Sequence, residues 1–421
     1  MKLPSLLTSL LITLASAAAE TAAPATATNA LGLDLYRLES VKQKGNLLLS
    51  PYSIQSALSM TLGGAEGVTK SEMAKVLHLA RPNAAGKDFA DLRAVLEKAA
   101  ADSAQMAEKA KKYGGKFEPL QLRVANRLFG NEDAKFEPDF LTRTKAEWAA
   151  PLEAISFSRP DRARTKINSW VEEQTRERIK DLIPENGVNE TTRLVLVNAL
   201  YFKAAWKDDF SEALTANLPF LVNGSSPVPV PTMYQQENYG YAKEAGFTAV
   251  TVPYTGMALH LLIVLPDARD GLPALEKTLT PAQLAKLARA SMAKEVKLFL
   301  PKFKMEPGTL ALADHLKALG MKSAFDEPKG SADFSRIAAR TPEDYLAISE
   351  VFHKTFMALD EEGTEAAAAT AVAMVPMSAR EAGPEQPVEV RVDRPFLFAI
   401  QHRETGMCLF LGRVTDPRSA P

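Results

Sequence analysis

The chain has 421 residues, of which 46% are hydrophobic and 24% charged, and its formal net charge is −1 at pH 7. This is enough apolar sequence for a large core, and the near-zero charge gives no overall attraction to nucleic acid or to an anionic membrane. A local basic cluster is interpreted as the solvated end of a helix, with polyanion binding as the alternative. It consists of Lys109, Lys111, Lys112 and Lys116.

The amino terminus has the pattern of an export signal. In MKLPSLLTSLLITLASAAAE, one lysine precedes an apolar run that ends in small residues. This predicts a secretory signal peptide over residues 1–19, with cleavage near Ala17 to Ala19. The apolar run is short for a membrane span, and residues 20–29 are interpreted as a flexible tether. The protein is therefore predicted to be secreted or periplasmic, without a membrane contact.

Helical patterns dominate the first third of the chain. In SPYSIQSALSMTLGGA, Ser50 is a predicted N-cap, Pro51 takes the first helical position, and glycines end the helix. The other predicted helices are LGLDLYRLESVK, VTKSEMAKVLHL, KDFADLRAVLEKAAADSAQMAEKAKK and RARTKINSWVEEQTRERIKDLI. A strand-like segment, LQLRVANRLFG, lies before the last of these.

Strand-like segments follow in the rest of the chain. They are TRLVLVNALYF, TAVTVPY, MALHLLIVLP, KEVKLFLPKF, LAISEVFHKTFMAL, VEVRV, PFLFAIQH and MCLFLGRV. Helices that come first and strands that come later, with no internal repeat and no interdomain linker, indicate a single large α+β domain.

Cys408 is the only cysteine. An exported chain with one cysteine has no internal disulfide, so its stability must come from packing. Because Cys408 lies in the strand-like segment MCLFLGRV, it is predicted to be an inert core residue. An intermolecular disulfide is the alternative.

Motifs of enzymes and of metal sites are missing from the sequence. The five histidines form neither HExxH nor zinc-ligand spacing with the cysteine. No GxSxG elbow, phosphate-binding loop, dinucleotide-binding turn or calcium loop occurs. No cofactor, no metal and no enzymatic activity are therefore predicted. A catalytic triad assembled by the fold from distant residues stays open as an alternative.

Residues 361–380, EEGTEAAAATAVAMVPMSAR, have few side chains that could anchor them to a core. Alanine favours a helix, but Gly363, Val372, Val375 and Pro376 argue against a stable one. The composition alone is consistent with a disordered linker.

Six segments of the chain resemble the serpin family, serine protease inhibitors that trap their target by loop insertion. EEGTEAAAAT resembles the hinge of the family's reactive loop. NLLLSPYSIQSALSM, LVLVNALYFKAAW, LPKFKME, FHKTFMALDEEG and RPFLFAIQHRETGMCLFLGRV resemble further family segments, in the family's order. The resemblance covers about Ala30 to Pro417 and implies one serpin domain over 30–417. The implied fold is a large, mostly antiparallel central sheet with two smaller sheets and about eight or nine helices. An exposed reactive-centre loop is implied at about 361–388.

The resemblance assigns the start of this segment as the loop hinge: Gly363, Thr364, Glu365, Ala366, Ala367, Ala368, Ala369 and Thr370. A strand directs alternate side chains to opposite faces, and the residues from Thr364 onward are small on one face. Small side chains suit a strand that is forced between two others. Hydrogen bonds of about 0.5–1.5 kcal/mol each would give such an insertion on the order of 10 kcal/mol.

The spacing from Glu361, by the same resemblance, puts the bond that a protease cleaves at Met377–Ser378. VPMS at this point is similar to the reactive site of antitrypsin, and methionine suits the apolar pocket of elastase-like and chymotrypsin-like proteases. The segment after Ser378 is longer than its counterpart. Arg380, followed by Glu381, is therefore the second choice and would suit a trypsin-like protease.

Two further groups follow from the resemblance. The shutter, where the central sheet parts, is assigned to Asn46, Ser50, Ser53, Asn198 and His353. Ser50 as a plain helix cap and His353 as a satisfied core histidine are the alternatives.

The breach, where the loop enters the sheet, is assigned to Trp206, Lys302 and Glu361. A Lys302–Glu361 ion pair is predicted to hold the top of the sheet closed. Its role would be gating more than stability, because surface ion pairs contribute little.

The resulting hypothesis is an exported, monomeric suicide inhibitor that forms a covalent 1:1 complex with a serine protease. A non-inhibitory serpin that binds a ligand or client protein is the alternative. Non-inhibitory members tend to carry bulky or charged hinge residues, whereas this hinge has Thr364, four alanines and Thr370. The hinge therefore favours inhibition.

Overall fold

The structure is a computed structural model that describes residues 6–114, 118–222, 226–290, 292–364 and 386–418, without the side chains of 6–20, 290 and 292. The α-helices in these ranges are α1 (Leu6–Lys42), α2 (Pro51–Leu62), α3 (Gly67–Val76), α4 (Ala85–Lys112), α5 (Pro138–Trp148), α6 (Pro160–Gln174), α7 (Leu272–Thr278), α8 (Pro281–Ala290) and α9 (Ala313–Leu319). Among the described residues, none of these helices combines the length and the apolar character needed to cross a membrane.

Helix α1 runs through the segment predicted to be a flexible tether, so that prediction is wrong. Within residues 20–29, Ala25, Thr28 and Asn29 are buried. The Asn29 side chain donates to the Gly406 carbonyl and accepts from the Cys408 N–H, each at 2.8 Å. Alanine-rich sequence favours a helix, and its small side chains allow the helix to pack closely on the sheet.

The strands of the described ranges include all the predicted ones. They are β1 (Leu47–Leu49), β2 (Gln121–Asn131), β3 (Glu153–Ile155), β4 (Leu194–Ala205), β5 (Ala216–Val222), β6 (Ser226–Glu244), β7 (Phe247–Pro253), β8 (Leu259–Pro266), β9 (Met292–Pro301), β10 (Phe303–Met305), β11 (Leu310–Ala311), β12 (Ile348–Thr355), β13 (Met357–Leu359), β14 (Gly363–Thr364), β15 (Val388–Arg391), β16 (Phe396–His402) and β17 (Cys408–Val414).

These strands form two sheets. The first has eight strands in the order β10-β13-β14-β4-β12-β11, with β2 also beside β4 and β3 beside β2. The second has nine strands in the order β1-β17-β16-β8-β7-β6-β9-β15, with β5 beside β6. The 19-residue strand β6 pairs with β5, β7 and β9, and so it joins the two smaller sheets that were predicted into one.

Strand β4 separates two hydrophobic cores. Its sequence LVLVNALYFKAA is almost continuously apolar, as a strand covered on both faces requires. Leu194, Leu196 and Leu200 face the larger core, which fills the space between the two sheets and includes Cys408. Alternate residues of β4 face the smaller core, which is formed by Ala125, Phe129, Ile155, Phe157, Ala163, Ile167, Val171, Ile179, Leu182, Ile183, Val188, Val195, Val197, Ala199, Phe352 and Phe356.

Cys408 is fully buried and free, as predicted for an inert core residue. Burial raises the pKa of its thiol to about 12. The reactive thiolate is therefore absent at neutral pH.

Candidate functional site

The predicted ion pair at the top of the eight-stranded sheet is present. Lys302 Nζ lies 2.5 Å from Glu361 Oε2, and the Thr215 hydroxyl donates to Glu361 Oε1 at 2.7 Å. The Glu361 side chain is 7% exposed and that of Lys302 is 36% exposed. Burial acts to raise the pKa of Glu361, but the hydrogen bonds from Lys302 and Thr215 outweigh it and the pKa is lowered. The carboxylate is thus ionised and paired at neutral pH.

Trp206 holds the chain on both sides of Glu361. Its indole Nε1 donates to the Asp360 carbonyl, and its backbone N–H donates to the Glu362 carbonyl, both at 2.9 Å. The Phe210 N–H donates to the Glu361 carbonyl at 2.9 Å. Three consecutive carbonyls are therefore fixed just before the loop hinge begins.

The first two hinge residues already lie in the sheet, as the short strand β14. Gly363 pairs with Ala205 and Thr364 with Ala204 in an antiparallel register, and Thr364 also pairs with Leu359 of β13. A Cβ atom on Gly363 would lie 2.1 Å from the Ala204 carbonyl oxygen, and the φ of Gly363 is +154°. Only glycine fits this position.

Thr364 is 1% exposed. Its hydroxyl lies 2.6 Å from the hydroxyl of Tyr254. The Tyr254 ring stacks on Trp206, with ring centroids 4.7 Å apart and 8° between the ring planes. The breach tryptophan and the start of the hinge are thus connected through a residue that the sequence reasoning missed.

The other predicted loop residues lie outside the described part of the chain. These are Glu365, Ala366, Ala367, Ala368, Ala369 and Thr370 of the hinge, and Met377, Ser378, Arg380 and Glu381 of the two candidate cleavage sites.

Four of the five predicted shutter residues form one buried group between α2, β4 and β12. The Ser50 backbone N–H donates to His353 Nε2 at 3.1 Å, so Nε2 is the acceptor and Nδ1 carries the proton that is donated to Asn198 Oδ1. Asn198 Nδ2 donates to the Ser53 hydroxyl at 2.6 Å. Burial lowers the pKa of His353 to about 3, so the imidazole is neutral. Ser50 is also the N-cap of α2, accepting from the Ser53 N–H.

Asn126 of β2 completes this group and was missed by the sequence reasoning. Its Oδ1 accepts from Asn198 Nδ2 at 2.7 Å and from the Ser53 hydroxyl at 2.9 Å. The signal was a short polar residue in a predicted strand, with the apolar Val124 and Leu128 two positions away on either side, where side chains share its face. Asn46 makes a different contact. It binds the chain after β17, accepting from the Thr415 N–H at 2.7 Å and donating to the Asp416 carbonyl at 2.8 Å.

In this arrangement, the short strand β14 lies beside the carboxyl end of β4, and the hydrogen-bonded polar group lies nearer the amino end of β4, at Asn198. In the described ranges, no group of three or more His, Cys, Asp or Glu residues is placed to bind a metal ion.

Comparisons with known proteins identify the fold. The model of the family Serpin (serine protease inhibitor) matches residues 26–417. The leukocyte elastase inhibitor of Xenopus tropicalis is 36% identical over 393 residues, which cover 91% of this chain and 97% of that protein. The human leukocyte elastase inhibitor is 35% identical over 396 residues and covers the same shares of the two chains, 91% and 97%.

Solved structures agree in fold. Serpin48 of the insect Tenebrio molitor has a TM-score of 0.75 at 31% identity, covering 93% of this chain and 98% of that one. Human thyroxine-binding globulin complexed with thyroxine has a TM-score of 0.76 at 28% identity, covering 95% of this chain and 100% of that one. Because the family model spans most of the chain and the relatives match over nearly their full length, the chain belongs to the serpin family of serine protease inhibitors.

Proposed function

We propose that this serpin is an exported suicide inhibitor of elastase-like or chymotrypsin-like serine proteases. The catalytic serine oxygen of the protease forms an ester with the Met377 carbonyl carbon as the Met377–Ser378 peptide bond breaks. The serine proton passes to the new amino group of Ser378. The freed loop then enters the eight-stranded sheet as a new strand and carries the protease with it before water hydrolyses the ester.

The observation that carries this proposal is the pairing around β4. Residues 194–200 of β4 pair directly with β12 in a parallel register, from Leu194 opposite Ile348 to Leu200 opposite Thr355. Above them, Ala204 and Ala205 pair instead with β14. The edge of β4 is thus closed by β12 at residues 194–200 and occupied by β14 at residues 204–205. This supports entry of the loop from the carboxyl end of β4 towards its amino end.

The register of β14 supports the same route. Each further residue of the loop would move one residue back along β4, which places Glu365 opposite Lys203 and Thr370 opposite Asn198. Lys203 now forms an ion pair with Glu118. After insertion its positive charge would lie opposite the carboxylate of Glu365. Four alanines fall between these two positions, where the sheet is covered on both faces and has little room.

The test is incubation of the purified chain with elastase, chymotrypsin and trypsin, followed by denaturing gels. We expect a covalent 1:1 complex with elastase or chymotrypsin, and a released carboxyl-terminal fragment that begins at Ser378. A fragment that begins at Glu381, together with a trypsin complex, would move the reactive site to Arg380. Cleavage by every protease without a complex would contradict inhibition.

A ligand-binding role is the second candidate, because human thyroxine-binding globulin has the same fold at a TM-score of 0.76. A ligand-binding role predicts that proteases cleave the loop and then dissociate in active form. Export has its own test, since the mature chain recovered from the extracellular or periplasmic fraction should begin just after Ala17 to Ala19.

A further inference from the structure

Packing fixes the position of the Tyr254 ring. It is 1% exposed, lies between the stacked Trp206 ring and an edge contact with Phe202 at 5.3 Å, and its N–H donates to the Leu259 carbonyl at 3.0 Å. With the ring fixed, the Tyr254 hydroxyl points to the Thr364 hydroxyl of β14, 2.6 Å away.

Both hydroxyls are buried, and this makes their contact a condition for keeping β14 in the sheet. A buried hydroxyl without a partner is penalised because it has given up its hydrogen bonds to water. If Tyr254 lost its hydroxyl, Thr364 would lose the hydrogen-bond partner that it has in the sheet, and leaving the sheet for solvent would restore one. Neighbouring residues Asp360 to Glu362 are held independently by Trp206 and Phe210, so release would be confined to the hinge.

We propose that Tyr254 is a positioning residue that keeps Thr364 inside the sheet before any protease is bound, so that loop insertion starts from a strand that already exists. This inference rests on the proposed function for its kinetic consequence. The first step of insertion is the entry of residue 364, and here that step precedes cleavage. Trapping then competes with hydrolysis of the ester only from residue 365 onward.

The test is a cycle of variants that remove one hydroxyl or both. Tyr254→Phe and Thr364→Val each leave one buried hydroxyl without its partner, whereas the double variant leaves neither. Two properties are measured: hydrogen exchange of the Thr364 amide in the free protein, and the number of inhibitor molecules consumed for each protease trapped. The first needs no protease and does not depend on the proposed function.

In each single variant we expect Thr364 exchange to be at least fivefold faster and the number of molecules consumed to rise at least threefold. The double variant should return both properties most of the way to the wild-type values, since a valine side chain then meets a phenylalanine ring and no buried hydroxyl is left without a partner. Unchanged exchange in Tyr254→Phe, or a double variant as impaired as the singles, would overturn the role of Tyr254. Faster exchange in the single variants, together with a wild-type chain that forms no protease complex, would support the role of Tyr254 and contradict only the proposed function.

Discussion

Thr364 is buried in the free protein, so a charged side chain at this position should impair inhibition strongly. A guanidinium there would be buried without a partner, at a cost of at least several kcal/mol. Thr364→Arg should therefore expel β14 and slow its return after cleavage, so that the ester hydrolyses first. We expect the variant to be cleaved as a substrate, with little covalent complex on denaturing gels. Thr364→Ser keeps the hydroxyl and is the matched control. An Arg variant that traps protease as well as the control would show that residue 364 does not have to enter the sheet.

Met377 makes a prediction about oxidation. Methionine sulfoxide is polar and larger than methionine, and an apolar primary pocket should bind it less well. Mild peroxide treatment should therefore slow association with elastase. Met377→Leu keeps the apolar volume without sulfur and should inhibit before and after treatment alike, which also controls for Met374. Association rates that peroxide leaves unchanged at an intact Met377 would count against this residue as the one that the protease reads.

Gly363 supplies a prediction about the strand it begins. An alanine Cβ would overlap the Ala204 carbonyl oxygen at 2.1 Å, and a main-chain atom in a covered sheet cannot move aside. Gly363→Ala should release β14, seen as faster amide exchange at residues 363–364 and less complex per molecule cleaved. Gly308→Ala is the matched control, because a Cβ at Gly308 meets no atom within 4 Å. Equal exchange in the two variants would show that β14 tolerates a side chain at its first residue.

At the level of elements, regular patterns were predictable and local interruptions were not. The cap and proline of α2 were read correctly because Ser50 and Pro51 act within one turn. Helix α6 was predicted to extend to residue 183 but ends at Gln174. The backbone of Arg176 and Glu177 is left-handed there, with φ of 53° and 60°. Helical periodicity in the sequence does not show this.

The candidate site was predictable only where a family motif covers it. Trp206, Lys302 and Glu361 come from three separate segments, and the structure brings them to one end of the sheet. Tyr254 and Asn126 act through their places in the fold, because each meets its partner across strands far apart in sequence. Asn46 shares a segment with Ser50, but the strand between them separates the two side chains.

For the whole molecule, three buried histidines predict sensitivity to acid. Burial lowers the pKa of His353 to about 3 and the pKa values of His260 and His402 to about 4. Below the unfolded value of about 6.5, the unfolded chain binds protons that the folded chain does not. Each histidine then removes about 1.4 kcal/mol of unfolding free energy per pH unit until its folded pKa is reached. Asp209 has the opposite sign, because burial and the nearby Glu362 and Asp208 raise its pKa to about 6.

Urea denaturation at pH 7, 6, 5 and 4.5 should show a falling unfolding free energy, with the steepest fall below pH 6. His260→Gln removes one of the three histidines and should give a shallower dependence. An unfolding free energy that stays constant from pH 7 to 4.5 would contradict a neutral, buried state for these side chains.

The smaller core has a mechanical consequence. It holds Val195 and Val197 of β4, Phe352 of β12, and Ile167 and Val171 of α6. Residues of α6, β4 and β12 thus belong to one apolar cluster, and the proposed opening lies between β4 and β12. If the loop enters between β4 and β12 as proposed, Val195 and Val197 must separate from Phe352, and opening the sheet then costs the apolar packing of the smaller core as well as strand hydrogen bonds.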